Sequence, residues 1–189
     1  MFELSSLLYS TAQKYRGVRE LPGIDDNPKI EQWFRDAGAT WIRDDEHSWC
    51  AAFICGIARE CGAYNPRTVR AKSFLSLPED RAVKVGIPDL QRGDVLVLSL
   101  GKGRYHVTFF AGFRGDDHVR GLGGNQSNMV RLSTYDIADI RGAVRLGPAD
   151  GRGFEHFACQ TFSTPNGRHA SAPAHSAREL LQGRAFEVE

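Results

Sequence analysis

Cys50 sits in the run His47-Ser48-Trp49-Cys50-Ala51-Ala52-Phe53, where Ser48 has the side chain of a helix cap and an apolar stretch follows. The pattern puts a thiol in the first turn of a helix. That end of a helix carries free N–H groups and the positive pole of the macrodipole, and both favour thiolate over thiol. A thiolate with a histidine beside it is the working pair of a cysteine hydrolase. The candidate base is His106, which opens the strand-like run Tyr105-His106-Val107-Thr108-Phe109-Phe110. A hairpin with Gly115-Asp116 as its two-residue turn pairs Phe113 with His118 and, on the same register, His106 with Asn125. Directly opposed side chains have Cβ atoms ~5 Å apart, so Asn125 is expected to orient the imidazole and fix its tautomer. A slip of one residue brings Gln126 or Gly124 opposite instead, which makes Gln126 the alternative third residue or a substrate contact. Trp49 is expected to form one wall of the site. The N–H groups of Cys50 and a neighbour are expected to receive an oxyanion.

Each of these residues also has an ordinary structural reading. A helical cysteine is commonly a small buried hydrophobe. A strand histidine is commonly a satisfied core residue, and Gly123-Gly124-Asn125-Gln126 also suits a turn with positive φ. Cys55, Cys61 and Cys159 read as structural thiols. Cys50 and Cys55 diverge by about 140° around the helix, and Cys50 and Cys61 are about 16 Å apart along it, so neither pair can form a disulfide. His118, His156, His169 and His175 show no ligand spacing. His47 lies beside Asp44, Asp45 and Glu46, which read as a solvated acidic loop before a helix rather than as a metal site. No metal and no cofactor are expected.

Helices and strands must position these groups. Ser5 to Arg16 has helical spacing and stops near Gly17. A turn follows at Leu21-Pro22-Gly23. Asn27-Pro28 has the form of a cap followed by proline in the first turn of a second helix, through Ile30, Trp33 and Phe34 to Gly38. The third helix is expected from near Ser48 to Gly62, and a short fourth from Pro66 to Leu75. Strands are expected at Val95–Leu100, Tyr105–Phe113, His118–Gly124, Met129–Leu132 and Ile140–Leu146. Helices first and an antiparallel meander second make an α+β fold. Residues 1–147 read as one domain and 148–189 as an irregular extension, with a Ser/Pro/Ala-rich linker at Ser163–Ser176 and a short amphipathic helix at Ala177–Gln182.

The chain of 189 residues is 41% hydrophobic and 25% charged with net charge +1, so bulk electrostatics point to neither nucleic acid nor membrane as a partner. The longest apolar run, Val95–Leu100, is far too short to span a bilayer. The first residues, Met1-Phe2-Glu3-Leu4, carry an acid where a secretory signal carries bases, so no Sec signal is read. A protein made in the cytoplasm without one is expected to reach an external target by lysis or dedicated secretion.

Four stretches occur together in order: Asp45-x-x-x-Trp49-Cys50-Ala51-Ala52-Phe53; Gln91-Arg92-Gly93-Asp94-Val95-Leu96-Val97-Leu98; His106-Val107-Thr108-Phe109-Phe110-Ala111-Gly112; and Leu122-Gly123-Gly124-Asn125-Gln126-Ser127-Asn128. The set resembles the NlpC-type and CHAP-type papain-like cysteine peptidases and amidases of bacterial peptidoglycan, and in particular a small phage and bacterial subgroup with a Gly-Gly-Asn-Gln motif. Gly17-Val18-Arg19-Glu20 and Asn27-Pro28-x-Ile30 resemble that subgroup too. The resemblance implies a nucleophile helix packed on an antiparallel sheet, with Cys50, His106 and Asn125 as the triad. It implies cleavage of a stem-peptide amide or of the muramoyl–L-alanine bond by a phage lysin or a secreted antibacterial effector. Peptidoglycan is then the expected partner, together with a cognate immunity or delivery protein. An acyltransferase or deamidase on a protein or lipid, and a wall-binding module without catalysis, are the competing expectations.

Overall fold

Asn27 starts the second helix as its sequence suggests. In the computed structural model, which describes residues 2–21, 26–45 and 47–151, the Asn27 side chain accepts the Lys29 N–H at 2.9 Å. Pro28 then opens α2, Pro28–Asp36. Proline has no N–H to lose there, and Ile30, Trp33 and Phe34 form the buried face. The first helix, α1, spans Phe2–Lys14. The third, α3, spans Cys50–Glu60 and is buried from Cys50 through Ala58. Its small residues Ala51, Ala52, Gly56 and Ala58 let neighbours close on it from several sides. A 3-10 turn at Ala71–Ser76 stands where the fourth helix was expected. Cys159, the expected Ser163–Ser176 linker and the expected Ala177–Gln182 helix lie outside the described residues, as do Pro22, Gly23 and Glu46.

Among the described residues six strands follow: β1 Ala82–Lys84, β2 Val95–Ser99, β3 Tyr105–Arg114, β4 His118–Gly123, β5 Arg131–Asp136 and β6 Ile140–Leu146. They form one antiparallel sheet in the order β1-β6-β2-β3-β4-β5. The chain is therefore α+β, helices before sheet. Strand β1 has only three residues and no alternation to betray it. Strand β5 runs to Asp136, well past the expected Leu132, because pairing with β4 continues through polar residues that end the apolar signal.

Both faces of the central strands are covered, which is why Val95–Leu98 reads as an unbroken apolar run. Val95, Val97, Val107, Phe109 and Leu122 belong to the core shared with α3. There the Phe53 and Phe109 rings meet edge to face at 6.2 Å. Leu96, Leu98, Phe110 and Val119 build a second core on the other face with Leu90. Each such side chain contributes about 1.5–3 kcal/mol by leaving water.

Asp94 closes the fold electrostatically. It has no solvent exposure. Its carboxylate takes two bonds from the Arg145 guanidinium, both 2.8 Å, and the Gln91 N–H at 2.8 Å. This ties the start of β2 to β6. Replacing Arg145 by Met leaves a buried carboxylate without its cation, so urea unfolding should show a loss of about 3–5 kcal/mol. Removal of Arg59, whose ion pair with Asp36 is largely exposed on the arginine side, should cost about 1 kcal/mol or less in the same assay.

Candidate active site

Cys50 is the first residue of α3, but Ser48 does not cap it. The cap position is Trp49, with no side-chain hydrogen bond to the helix. Ser48 Oγ instead lies 3.9 Å from Cys50 Sγ. The cause is Trp49, which is drawn wholly into the core. Its indole N–H donates to Glu20 Oε1 at 2.7 Å, and its ring stacks on Trp33 at 5.7 Å. Trp49 therefore offers no surface to a substrate, and the expectation that it forms a wall of the site is corrected. Among the described residues no side chain caps the first N–H groups of α3, which leaves them to meet an incoming anion.

His106 is buried at the start of β3. Its Nε2 lies 3.2 Å from Gln126 Oε1. Gln126 is itself buried, and its Nε2 donates to Ser133 Oγ at 3.0 Å, to the Gly121 carbonyl at 3.4 Å and to the Arg131 carbonyl. Three acceptors around the amide nitrogen force the amide oxygen toward the ring. An amide oxygen only accepts, so Nε2 of His106 must carry a proton, and the neutral ring keeps its lone pair on Nδ1. The structure thus brings together Cys50, His106 and Gln126.

Asn125 is not in this row. The hairpin turn has three residues, with Arg114 opposite His118, one more than expected. A bulge between Phe110 and Gly112 then absorbs the extra residue, and Phe110 faces Gly121 on the expected register. The ladder nevertheless stops at Gly123. Asn125, Ser127 and Asn128 take φ of 54°, 56° and 57°, which no strand allows. The chain turns, with the Gln126 N–H bonded to the Met129 carbonyl at 3.0 Å, and it is the Gln126 side chain that meets the ring. Two glycines make room for this. A Cβ on Gly123 would lie 2.6 Å from Gln126 Oε1, and one on Gly124 would lie 2.4 Å from the Trp49 ring.

Tyr135 escaped the sequence reading. Its ring lies 5.8 Å from the His106 ring, tilted by 36°. Burial pushes its phenol up to about 12, the charge of Cys50 adds to the rise, and a hydrogen bond with Ser133 opposes it. Tyr135 therefore stays protonated at neutral pH. The available signal was the alternation of Arg131, Ser133 and Tyr135, hidden because the expected strand ended too early.

The described thiols differ in character. Burial works against a Cys50 thiolate, but the hydrogen bond and charge of His106, with the Val107 N–H and Ser48, outweigh it and hold the thiol below its ordinary value. Burial pushes Cys55 up to about 11, and its thiol faces the Thr68 carbonyl at 3.4 Å. Burial also raises Cys61.

The acidic loop is a clasp. Asp45 Oδ2 accepts the N–H groups of Leu21 and Asn27, both at 2.9 Å, and His47 Nδ1 pairs with Asp44 at 2.6 Å. Among the described residues no group of three or more His, Cys, Asp or Glu side chains could hold a metal ion. Nor is any described helix long and apolar enough to cross a membrane. Compared with known proteins, the chain matches no protein-family model and no curated relative.

Iodoacetamide at neutral pH should label Cys50 well before Cys55, with peptide mapping as the readout. A lowered thiol pKa means that the labelling rate falls only when pH drops through a value below the ordinary thiol range. His106→Ala should move that fall to higher pH.

Proposed function

We propose that this chain is a papain-like cysteine hydrolase of the NlpC/CHAP kind that cuts an amide bond of peptidoglycan. The observation that carries the reading is the buried row Cys50–His106–Gln126 at an uncapped helix start, with the Cys50 thiol held below its ordinary value. The motif order in the sequence supports the same class. The third residue of the triad is Gln126 rather than Asn125.

The chemistry follows from the geometry. Nδ1 of His106 takes the thiol proton, and Cys50 Sγ attacks the amide carbonyl carbon. The oxyanion that forms lies toward the open N–H groups of α3. His106 then gives its proton to the departing amine, leaving a thioester on Cys50. Water, deprotonated by His106, attacks the thioester and releases the acid. Gln126 holds the ring in place through both half-reactions, and Tyr135 walls off its other side. The substrate would be the stem peptide or the muramoyl–L-alanine linkage. The protein would act on the cell wall after lysis or dedicated secretion, as a lysin or an antibacterial effector with a cognate immunity or delivery protein.

Mass spectrometry of muropeptides after incubation with the protein should show paired new amine and carboxyl ends, and Cys50→Ala should show none. Unchanged cleavage by Cys50→Ala, or no new ends with the wild type, removes this reading. Gln126→Ala should lower kcat by about 10- to 100-fold, whereas Asn125→Ala should change it little.

A further inference from the structure

Arg131 opens β5 beside the candidate triad. The β4–β5 register sets Arg131 opposite Gly123, Ser133 opposite Gly121 and Tyr135 opposite Val119. These three side chains share one face of the strand. That face is the site face: Ser133 Oγ accepts from Gln126, and the Tyr135 ring stands 5.8 Å from His106. The Arg131 carbonyl is bonded to the Gln126 amide, which anchors the residue next to the imidazole's own support. Its guanidinium is exposed and has no hydrogen bond or ion pair among the described residues. Asp136, the acid on the same strand, points to the opposite face and pairs with His118 at 2.9 Å. The charges of Arg131 and Cys50 both reach the Tyr135 phenol, with opposite effect.

We propose that Arg131 binds a carboxylate of the substrate, so that the amide this site accepts is one with a free carboxylate close to the scissile bond. This rests on Cys50 as the nucleophile. A guanidinium presents a planar fork of donors that fits a carboxylate with two parallel bonds, and it is charged at every working pH. Left unpaired on the strand that carries Ser133 and Tyr135 to the Gln126–His106 pair, it selects acidic substrates over their neutral amides. Within the wall, that means stem peptides whose glutamate carboxylate is free rather than amidated.

Two pairs of alkylating reagents test this without requiring wall cleavage: iodoacetate with iodoacetamide, and N-iodoacetyl-β-alanine with its primary amide. The ratio of acid to amide rates at Cys50 should fall about tenfold or more in Arg131→Gln for at least one pair, and Arg131→Lys should recover part of it. Arg120→Gln removes the same charge from the other face of the sheet and should leave the ratio as in the wild type. A ratio unchanged by Arg131→Gln in both pairs, or lowered equally by Arg120→Gln, overturns the assignment. In the second arm, the wild type should cleave free-carboxylate stem peptides at least tenfold better in kcat/KM than amidated ones, and Arg131→Gln should lose that preference. If neither peptide is cut, the wall reading fails while the alkylation ratio still decides the role of Arg131.

Discussion

The carboxamide of Gln126 can face only one way, and the candidate site follows from that constraint. Its nitrogen sits among the Gly121 and Arg131 carbonyls and the Ser133 hydroxyl, so its oxygen is left for His106. A flip would set the amide oxygen against two carbonyl oxygens in a buried place, where an unmet donor or acceptor costs about 1–3 kcal/mol. The His106 tautomer follows from the amide, and the lone pair available to Cys50 follows from the tautomer. A carboxylate in place of the amide could donate to neither of the two carbonyls. This is a physical reason for glutamine, rather than glutamate, at the position.

The scaffold exists to hold that amide against the start of α3. Trp49 does much of this. It is pinned by Glu20, stacked on Trp33 and pressed against the backbone of Gly124, so one buried ring joins α2, α3 and the turn after β4. Asp45 holds the segment before Trp49 by accepting two backbone N–H groups from the region between α1 and α2. The price is that Trp49 cannot also face a substrate. Tyr135 and Arg131 take the exposed side instead, and both come from the edge strand β5.

Much of the fold was legible in the sequence, because its signals are local. Asn27-Pro28 marks a helix start through the chemistry of two residues. Val95–Leu98 marks a buried strand by continuous apolarity, and Ile140–Leu146 was placed with the bounds it has in the structure. Failures occurred where local signals were weak or misleading. Ser48 has the side chain of a cap but loses that position to Trp49, because burial of an indole with a hydrogen-bonded N–H outweighs a surface cap worth about 1 kcal/mol. Strand β1 is too short to show a period, and β5 is too polar.

Cys50, His106 and the Gly-Gly-Asn-Gln stretch could be singled out from residue types alone, since a thiol at a helix start and a histidine at a strand start are local facts. Which amide meets the imidazole is not local. It depends on a three-residue turn, a compensating bulge and a run of left-handed residues, and each of these shifts every later side chain. Simple register counting led to Asn125; the chain's turn after Gly123 delivers Gln126. The placement of Tyr135 and Arg131 is likewise tertiary, because only the pairing of β5 with β4 carries residues so distant in sequence to His106 and Gln126. The residue types of the candidate site were written in the sequence, and which side chain meets which was decided by how the sheet closes around them.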